Sequence, residues 1–348
     1  MAILDKLKNT FSDTMETSTT AANIGKASAG MLLGLLGIIG VTGYIWDDEP
    51  DLFDVIGNTT EQVEQLQVER VTGSTTVATM IKITDVLLNK RGGYLTNDIM
   101  PPGAWMDNVP NWEFGVLGQI RDMARNLRKN MSRSQSQSTE DKGLVTTENQ
   151  FYFDMDSWLL PETETEYRKG IVSLRDYLKR LGDPDQQSAQ FYARADNLTA
   201  WLSEVGTRLG SLSQRLSASV GKRQLDTSLA GDPAARQSTR TQSDLELKTP
   251  WRELDDIFYE SRGTTWALIH LLKAVEIDFR DVLDKKNARV SLQQIIRELE
   301  PTQDALWSPI ILNGYGLGLV ANHSLVMASY ISRANAAIID LRRLLEDG

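Results

Sequence analysis

Ser219-Val220-Gly221-Lys222 has the S-x-x-K spacing in which a lysine can activate a serine nucleophile. The penicillin-interacting serine enzymes that use it also need an S-D-N or S-x-N element and a K-T-G strand. This chain offers no S-D-N, and its nearest K-T-G is Lys248-Thr249-Pro250, which ends in proline. A four-residue motif with two free positions carries little information, and an accidental match is the simpler account. Gly314, Gly316 and Gly318 precede a helical pattern, as a phosphate-cradling loop would. Their spacing is G-x-G-x-G with no strand predicted before it, which favours a close-packed turn at a helix start. No G-x-x-x-x-G-K-[ST] occurs, so a P-loop is excluded.

The chain has no cysteine, hence no disulfide, thiolate metal site or cysteine nucleophile. His270 and His323 are its only histidines, which excludes His-rich metal sites. Each could serve a polar site. A lone histidine at a helical position is more often a hydrogen-bonded packing residue. Asp255, Asp256 and Glu260 share a turn, with Glu276 and Asp278 beyond. Such carboxylates could supply acid–base chemistry, though solvated helix faces and helix-dipole partners explain them more cheaply. No metal site and no cofactor are expected, and catalytic residues cannot be assigned.

The most specific surface pattern is a heptad stripe: Arg194, Trp201, Arg208, Arg215 and Lys222. In a chain of net charge −10, a basic ridge with a tryptophan could meet lipid headgroups or a cell-wall polymer. The alternative, favoured here, is ordinary charge flanking a coiled-coil seam. The acidic balance argues against a nucleic-acid partner.

These residues belong to a chain whose pattern is helical throughout. Phe191, Ala195, Leu198, Leu202, Val205, Leu209, Leu212 and Leu216 alternate four- and three-residue steps, an a/d seam of nearly four heptads. Gly206 and Gly210 run beside it and would admit a close neighbour. Met327, Ile331, Ala334, Ile338, Leu341 and Leu345 form a second seam. Residues 266–283 are apolar on both faces and predict a deeply buried helix. Further helices are expected near 75–90, 113–131, 161–181 and 287–300. Residues 92–112, with three prolines and two tryptophans, predict an irregular, packed loop. Near 132–147 and 221–249, polar composition predicts mobile insertions.

Residues 27–46 contain no charge and are long enough to cross a hydrocarbon core of ~30 Å. A buried soluble helix and a cleaved signal peptide are the weaker readings of the same stretch. Lys6, Lys8 and Lys26 precede it, whereas the 23 residues 47–69 hold no Lys or Arg. The positive-inside bias therefore predicts a cytoplasmic segment 1–26, a transmembrane helix 27–46 and an exported domain 47–348. Gly30, Gly34 and Gly37 share one face of that helix and could pack a second helix closely in lipid.

The strings NDIMPPGAWMDNVPNWEFG, FYARADNL, RLGSLSQRLSASVG, TPWRELDDIFYESRGTTWALIHLLKAVEIDF and LWSPIILNGYGLGLVANHSLVMASYISRANAAIIDLR resemble the bacterial domain-of-unknown-function family 2333. The resemblance runs from the membrane helix to the end. It implies a single-pass inner-membrane protein of a Gram-negative bacterium with a periplasmic helical domain, and transfers no catalytic residue. The sequence thus predicts a mainly α protein with few or no strands. Its expected partners are the lipid bilayer and either a second copy or another inner-membrane or periplasmic protein. Non-enzymatic scaffolding or regulation of a membrane or cell-wall complex is favoured. An enzyme acting on envelope glycan or lipid through paired carboxylates, and a carrier or sensor of an apolar ligand near Trp105, Trp112, Trp251 and Trp266, remain open.

Overall fold

The computed structural model describes residues 26, 28–134, 138–185, 188–224, 245–308, 310–314 and 319–347. Among these residues the architecture is helical apart from one small hairpin. Helix α1 (Ser28–Trp46) is the apolar segment, long and hydrophobic enough to cross a membrane, and none of its apolar window is buried by the described residues. The buried-core-helix reading of this stretch is therefore corrected. Ten helices follow: α2 (Val55–Leu66), α3 (Ser74–Asn89), α4 (Asn108–Asn126), α5 (Lys142–Phe151), α6 (Thr163–Leu181), α7 (Ala195–Ser217), α8 (Leu254–Asp278), α9 (Arg280–Lys285), α10 (Arg289–Leu299) and α11 (His323–Asp347). A π turn, Leu127–Met131, extends α4. Strands β1 (Lys222–Gln224) and β2 (Leu245–Leu247) pair antiparallel.

The core forms because each long helix buries an apolar stripe. All six residues of the C-terminal seam are buried on α11, and Leu198, Leu202, Val205, Leu209, Leu212 and Leu216 are buried on α7. These two helices pack along their length. Helix α8 is the hub, touching α2, α3, α4, α7, α10 and α11. Its tightest neighbour is α4. A Cβ added at Gly115 would lie 2.1 Å from the Glu260 carbonyl, and one at Gly263 would lie 2.0 Å from the Trp112 carbonyl. The two backbones touch at a reciprocal glycine crossing that no other residue type permits. Gly206 and Gly210 do face α11, but a Cβ at either would sit 3.4 Å from the Asn335 side chain, an ordinary contact. Close approach is thus required at α4–α8, not at α7–α11.

Three expectations are corrected. The predicted 266–283 helix begins twelve residues earlier and breaks at Phe279, because Asp278 turns to accept from the Thr76 amide and hydroxyl, both at 2.7 Å, at the start of α3. The insertion near 132–147 becomes helix α5 at Lys142. Asp141 caps it by accepting from the Leu144 amide and pairs with Arg180 at 2.7 Å. The 92–112 loop ends where α4 begins at Asn108 and is only partly packed: Tyr94 and Leu95 are buried, whereas Ile99, Met100 and Trp105 are exposed. Of the insertion near 221–249, residues 225–244 lie outside the described residues. Its ends are joined by the β1–β2 hairpin and by the Thr249 amide donating to the Ala218 carbonyl at 3.1 Å.

Candidate functional site

The segment 47–54 leaves α1 and runs along the hub helix. Extended chain advances about 3.3 Å per residue and a helix about 1.5 Å, so every second strap residue meets every fourth helix residue. The contacts follow that match. The carboxylate of Glu49 takes a forked pair of bonds from Arg262, with Nε at 2.7 Å and Nη2 at 2.6 Å from Oε2. The carbonyl of Asp51 accepts from Nε1 of Trp266 at 3.3 Å. The amide of Phe53 donates to Nε2 of His270 at 3.0 Å, and the two rings stack with centroids 3.8 Å apart. Asp54 ends the strap by capping α2, accepting from the Ile56 and Gly57 amides. No local pattern reveals these pairings, because their partners lie 213 to 217 residues away.

Histidine 270 is locked into this arrangement. Because Nε2 accepts from Phe53, the proton sits on Nδ1, which donates to the Trp266 carbonyl at 2.7 Å. Burial pushes its pKa down to about 3, opposed by the Trp266 hydrogen bond and aided by nearby Lys273. The ring is neutral at physiological pH with both nitrogens engaged, which leaves no lone pair for a metal or a substrate proton. Arg262 also donates to the carbonyls of Thr302 and Asp304, each at 3.0 Å.

The end of α1 joins the same junction. The Trp46 ring covers Gly92, where an added Cβ would meet it at 2.8 Å, and Gly43 faces Pro102 at 3.4 Å. Arg91 pairs with Asp48. Beneath lies the buried pair Lys90–Glu113. Glu113 also accepts from the Leu95 amide at 2.9 Å and the Thr96 amide at 2.8 Å, which fixes the loop facing α1. Further along α1, a Cβ at Gly30, Gly34 or Gly37 would have no heavy atom of the described residues within 4 Å. The proposed packing face is open.

The heptad stripe is not a continuous ridge. Trp201 is fully buried, whereas Arg194, Arg208 and Arg215 each meet a carboxylate. Arg208 grips Asp122 at 2.7 Å, Arg215 pairs with Glu260, and Arg194 approaches Asp196 at 3.2 Å. Arg208 and Arg215 line a cleft of about 370 Å³ with Asp122, Arg125, Glu204 and Glu260. Three guanidiniums there face three carboxylates, so the cleft offers an anion no surplus charge. The side chain of Lys222 lies outside the described residues.

The remaining candidates are dispersed. Ser219 sits in a 3-10 turn, its hydroxyl buried with no hydrogen-bond partner among the described residues, and Lys222 follows in β1. Gly314 makes a tight turn, where an added Cβ would lie 2.0 Å from the Val320 carbonyl; Gly316 and Gly318 lie outside the described residues. His323 accepts from the Leu312 amide through Nδ1 at 3.1 Å and lies beside Phe258. Phe258 is twelve residues from His270 on α8, about 18 Å along the axis, so the histidines form no joint site. Glu276 is held by Gln293 at 2.7 Å and Arg289 at 3.1 Å. Glu260 lines the cleft with Arg215, and Asp256 accepts from Nδ2 of Asn111 at 2.8 Å. Asp255 lines a cleft of about 310 Å³ with Asp107 and Trp251. Burial, then the neighbouring charges of Asp255, Asp107 and Glu253, push Asp256 up to about 6. No group of three or more metal-ligating side chains occurs among the described residues.

The four tryptophans expected around an apolar ligand divide instead. Trp112 and Trp266 pack together in the core with ring centroids 5.2 Å apart, while Trp105 and Trp251 are exposed. The gap beside Trp112 and Tyr259 has no room for a water molecule.

Compared with known families, residues 20–348 match the family described as an uncharacterized protein conserved in bacteria, DUF2333. No curated protein and no solved structure matches.

Proposed function

This chain belongs to the bacterial DUF2333 family, and from that premise we propose that it is an inner-membrane anchor carrying a periplasmic helical platform. Residues 1–26 stay in the cytoplasm, α1 spans the bilayer once, and residues 47–348 are exported. The platform scaffolds or regulates a membrane or cell-wall complex, and it does so by binding rather than by catalysis. The observation that carries this reading is the strap. A tether that merely holds a domain near a membrane needs only flexible chain. Here Glu49, Asp51 and Phe53 are each bonded to the central helix, and Trp46 and Gly43 already pack against the domain. Contacts of the last α1 turn also favour a retained anchor over a cleaved leader. The open glycine face supports association within the bilayer, with a second copy or another single-pass helix.

One observation favours an enzymatic alternative: the raised carboxyl of Asp256, held by Asn111 at 2.8 Å and next in sequence to the cleft residue Asp255, could serve as an acid toward an envelope glycan or lipid. The two readings separate experimentally. The full chain is crosslinked in intact cells, extracted in detergent and analysed by mass spectrometry, with and without Gly34→Leu. Scaffolding predicts crosslinks, to itself or to a defined envelope protein, that Gly34→Leu removes. No crosslink sensitive to the glycine face, together with a phenotype that follows Asp256→Asn, would replace scaffolding with catalysis.

A further inference from the structure

Two loops of the helical domain expose apolar side chains that no other part of the described chain covers. In the first, residues 98–106, Met100 is 70% exposed and Trp105 66%, with Ile99 beside them. In the second, residues 157–161, Leu160 is 88% exposed, with Trp158 and Leu159 next to it. The second loop contains no charged residue. The first contains only Asp98, itself exposed, whose carboxylate lies against Gly103 and whose pKa is raised by partial burial and by Glu164. The loops are tied to each other. Nδ2 of Asn97 donates to the Ser157 carbonyl at 3.0 Å and to Glu164 at 2.7 Å, and the Tyr94 hydroxyl donates to the Met155 carbonyl at 2.9 Å.

Their position is set by α1. Pro102 touches Gly43, three residues before the end of the apolar helix, or about 4.5 Å inside it at helical rise. A loop in contact with the helix at that depth lies at the level of the interfacial region, where Trp and apolar side chains gain most from leaving water. Ile99 and Met100 are two or three residues from that contact, and Trp105 is three residues beyond it. Six clustered apolar side chains at a domain surface call for a partner.

We infer that these paired loops dip into the bilayer leaflet facing the domain, giving the protein a second membrane contact beside its helix. The occupant of this surface is lipid, because the surface is continuous with the apolar helix. The inference rests on the reading that α1 spans the bilayer. Together with the strap, the contact holds the domain down on the membrane at a fixed tilt.

The absence of native cysteine makes a direct test simple. Single cysteines are introduced into the full chain at Ile99, Leu160, Tyr44, Leu35 and Val290, and labelled with an environment-sensitive fluorophore. Each protein is reconstituted into phosphatidylethanolamine–phosphatidylglycerol vesicles, with or without a doxyl lipid that quenches at shallow depth or one that quenches near the bilayer centre. Leu35 lies mid-helix and reports on spanning. Tyr44 calibrates the interface. Val290 is an exposed apolar control whose neighbour Arg289 pairs with Glu276, fourteen residues along α8 from Arg262. The expected result is quenching of the Ile99 and Leu160 labels by the shallow lipid to an extent comparable with Tyr44, no quenching at Val290, and deep quenching at Leu35. Deep quenching at Leu35 with unquenched loop labels would overturn the inference and leave the spanning helix standing. Loss of quenching at Leu35 would overturn both.

Discussion

Replacing Glu49 by Gln removes one charge from the strap and leaves nearly all of its shape. Both partners are close to fully desolvated: the Arg262 side chain is 10% exposed and that of Glu49 15%. Deleting one member of a buried pair leaves the other charge uncompensated, at a cost of about 3–5 kcal/mol. Gln retains one acceptor oxygen, and Arg262 keeps the carbonyls of Thr302 and Asp304, so the lower end, about 3 kcal/mol, is expected. At about 1.4 kcal/mol per tenfold, that raises the population of a released strap by about two orders of magnitude. The Phe53 amide, whose acceptor is His270, is the natural reporter of release. Hydrogen exchange of the full chain in detergent micelles should show it exchanging faster by that factor. The double variant with Arg262→Met should cost less than the sum of the single variants by about 2 kcal/mol, since no buried charge is then left over. Unchanged Phe53 exchange in Glu49→Gln, or additive single variants, would refute the claim that this pair holds the strap.

Three other outcomes follow from the same geometry. Gly115→Ala and Gly263→Ala should each lower stability by about 3 kcal/mol or more, because the new methyl meets backbone that cannot retreat; Gly206→Ala, facing a side chain at ordinary distance, should be neutral or stabilise by up to about 1 kcal/mol, and thermal melts of the three variants will rank them. His270 is neutral when folded and charges readily when unfolded, so its contribution is present above its unfolded pKa of 6.5 and is lost as pH falls toward its folded value of about 3. Between pH 7 and 5 that loss amounts to about 2 kcal/mol, and urea unfolding of His270→Gln across this range should show a correspondingly flatter pH dependence. Leu substitution of Gly30, Gly34 or Gly37 should weaken association of α1 in a bacterial membrane two-hybrid assay without preventing insertion, whereas changes at Leu33 or Leu36 should do less; equal effects at both sets would reduce the glycines to background composition.

Helices with a continuous one-sided apolar stripe were legible in the sequence. The α7 and α11 seams, α6 and α10 lie where their 3.6-residue patterns place them, because burial there follows one apolar stripe; α3, near its expected 75–90, is buried on almost every side. Helix α2 was not legible. It buries only Val55, Thr59 and Val63, and its start depends on an Asp54 cap. The first half of α8 was missed for a different reason. Glu260, Arg262, Thr264 and Thr265 are buried there, and polar residues enter a core only when distant partners satisfy them. Those partners, Arg215 and Glu49 among them, are invisible to local periodicity. Arg194, Trp201, Arg208, Arg215 and Lys222 share a heptad spacing in the sequence. That pattern could not say that Trp201 turns inward or that each of the three arginines meets an acid.

If α1 spans a membrane as proposed, the strap also governs how its motion passes to the domain. A helix that spins about its axis when it meets a partner normally dissipates that rotation in a slack linker. Here rotation of α1 has nowhere to go, because successive anchors at Glu49, Asp51 and Phe53 grip one face of α8 in register. Torque is delivered to the helix that touches α2, α3, α4, α7, α10 and α11. If two copies pair through Gly30, Gly34 and Gly37, the azimuth of that pairing also sets the direction in which each domain faces. One residue inserted between Trp46 and Glu49 would shift the α1 frame against those anchors, point the domains elsewhere and give up the contacts of Trp46 with Gly92 and of Gly43 with Pro102.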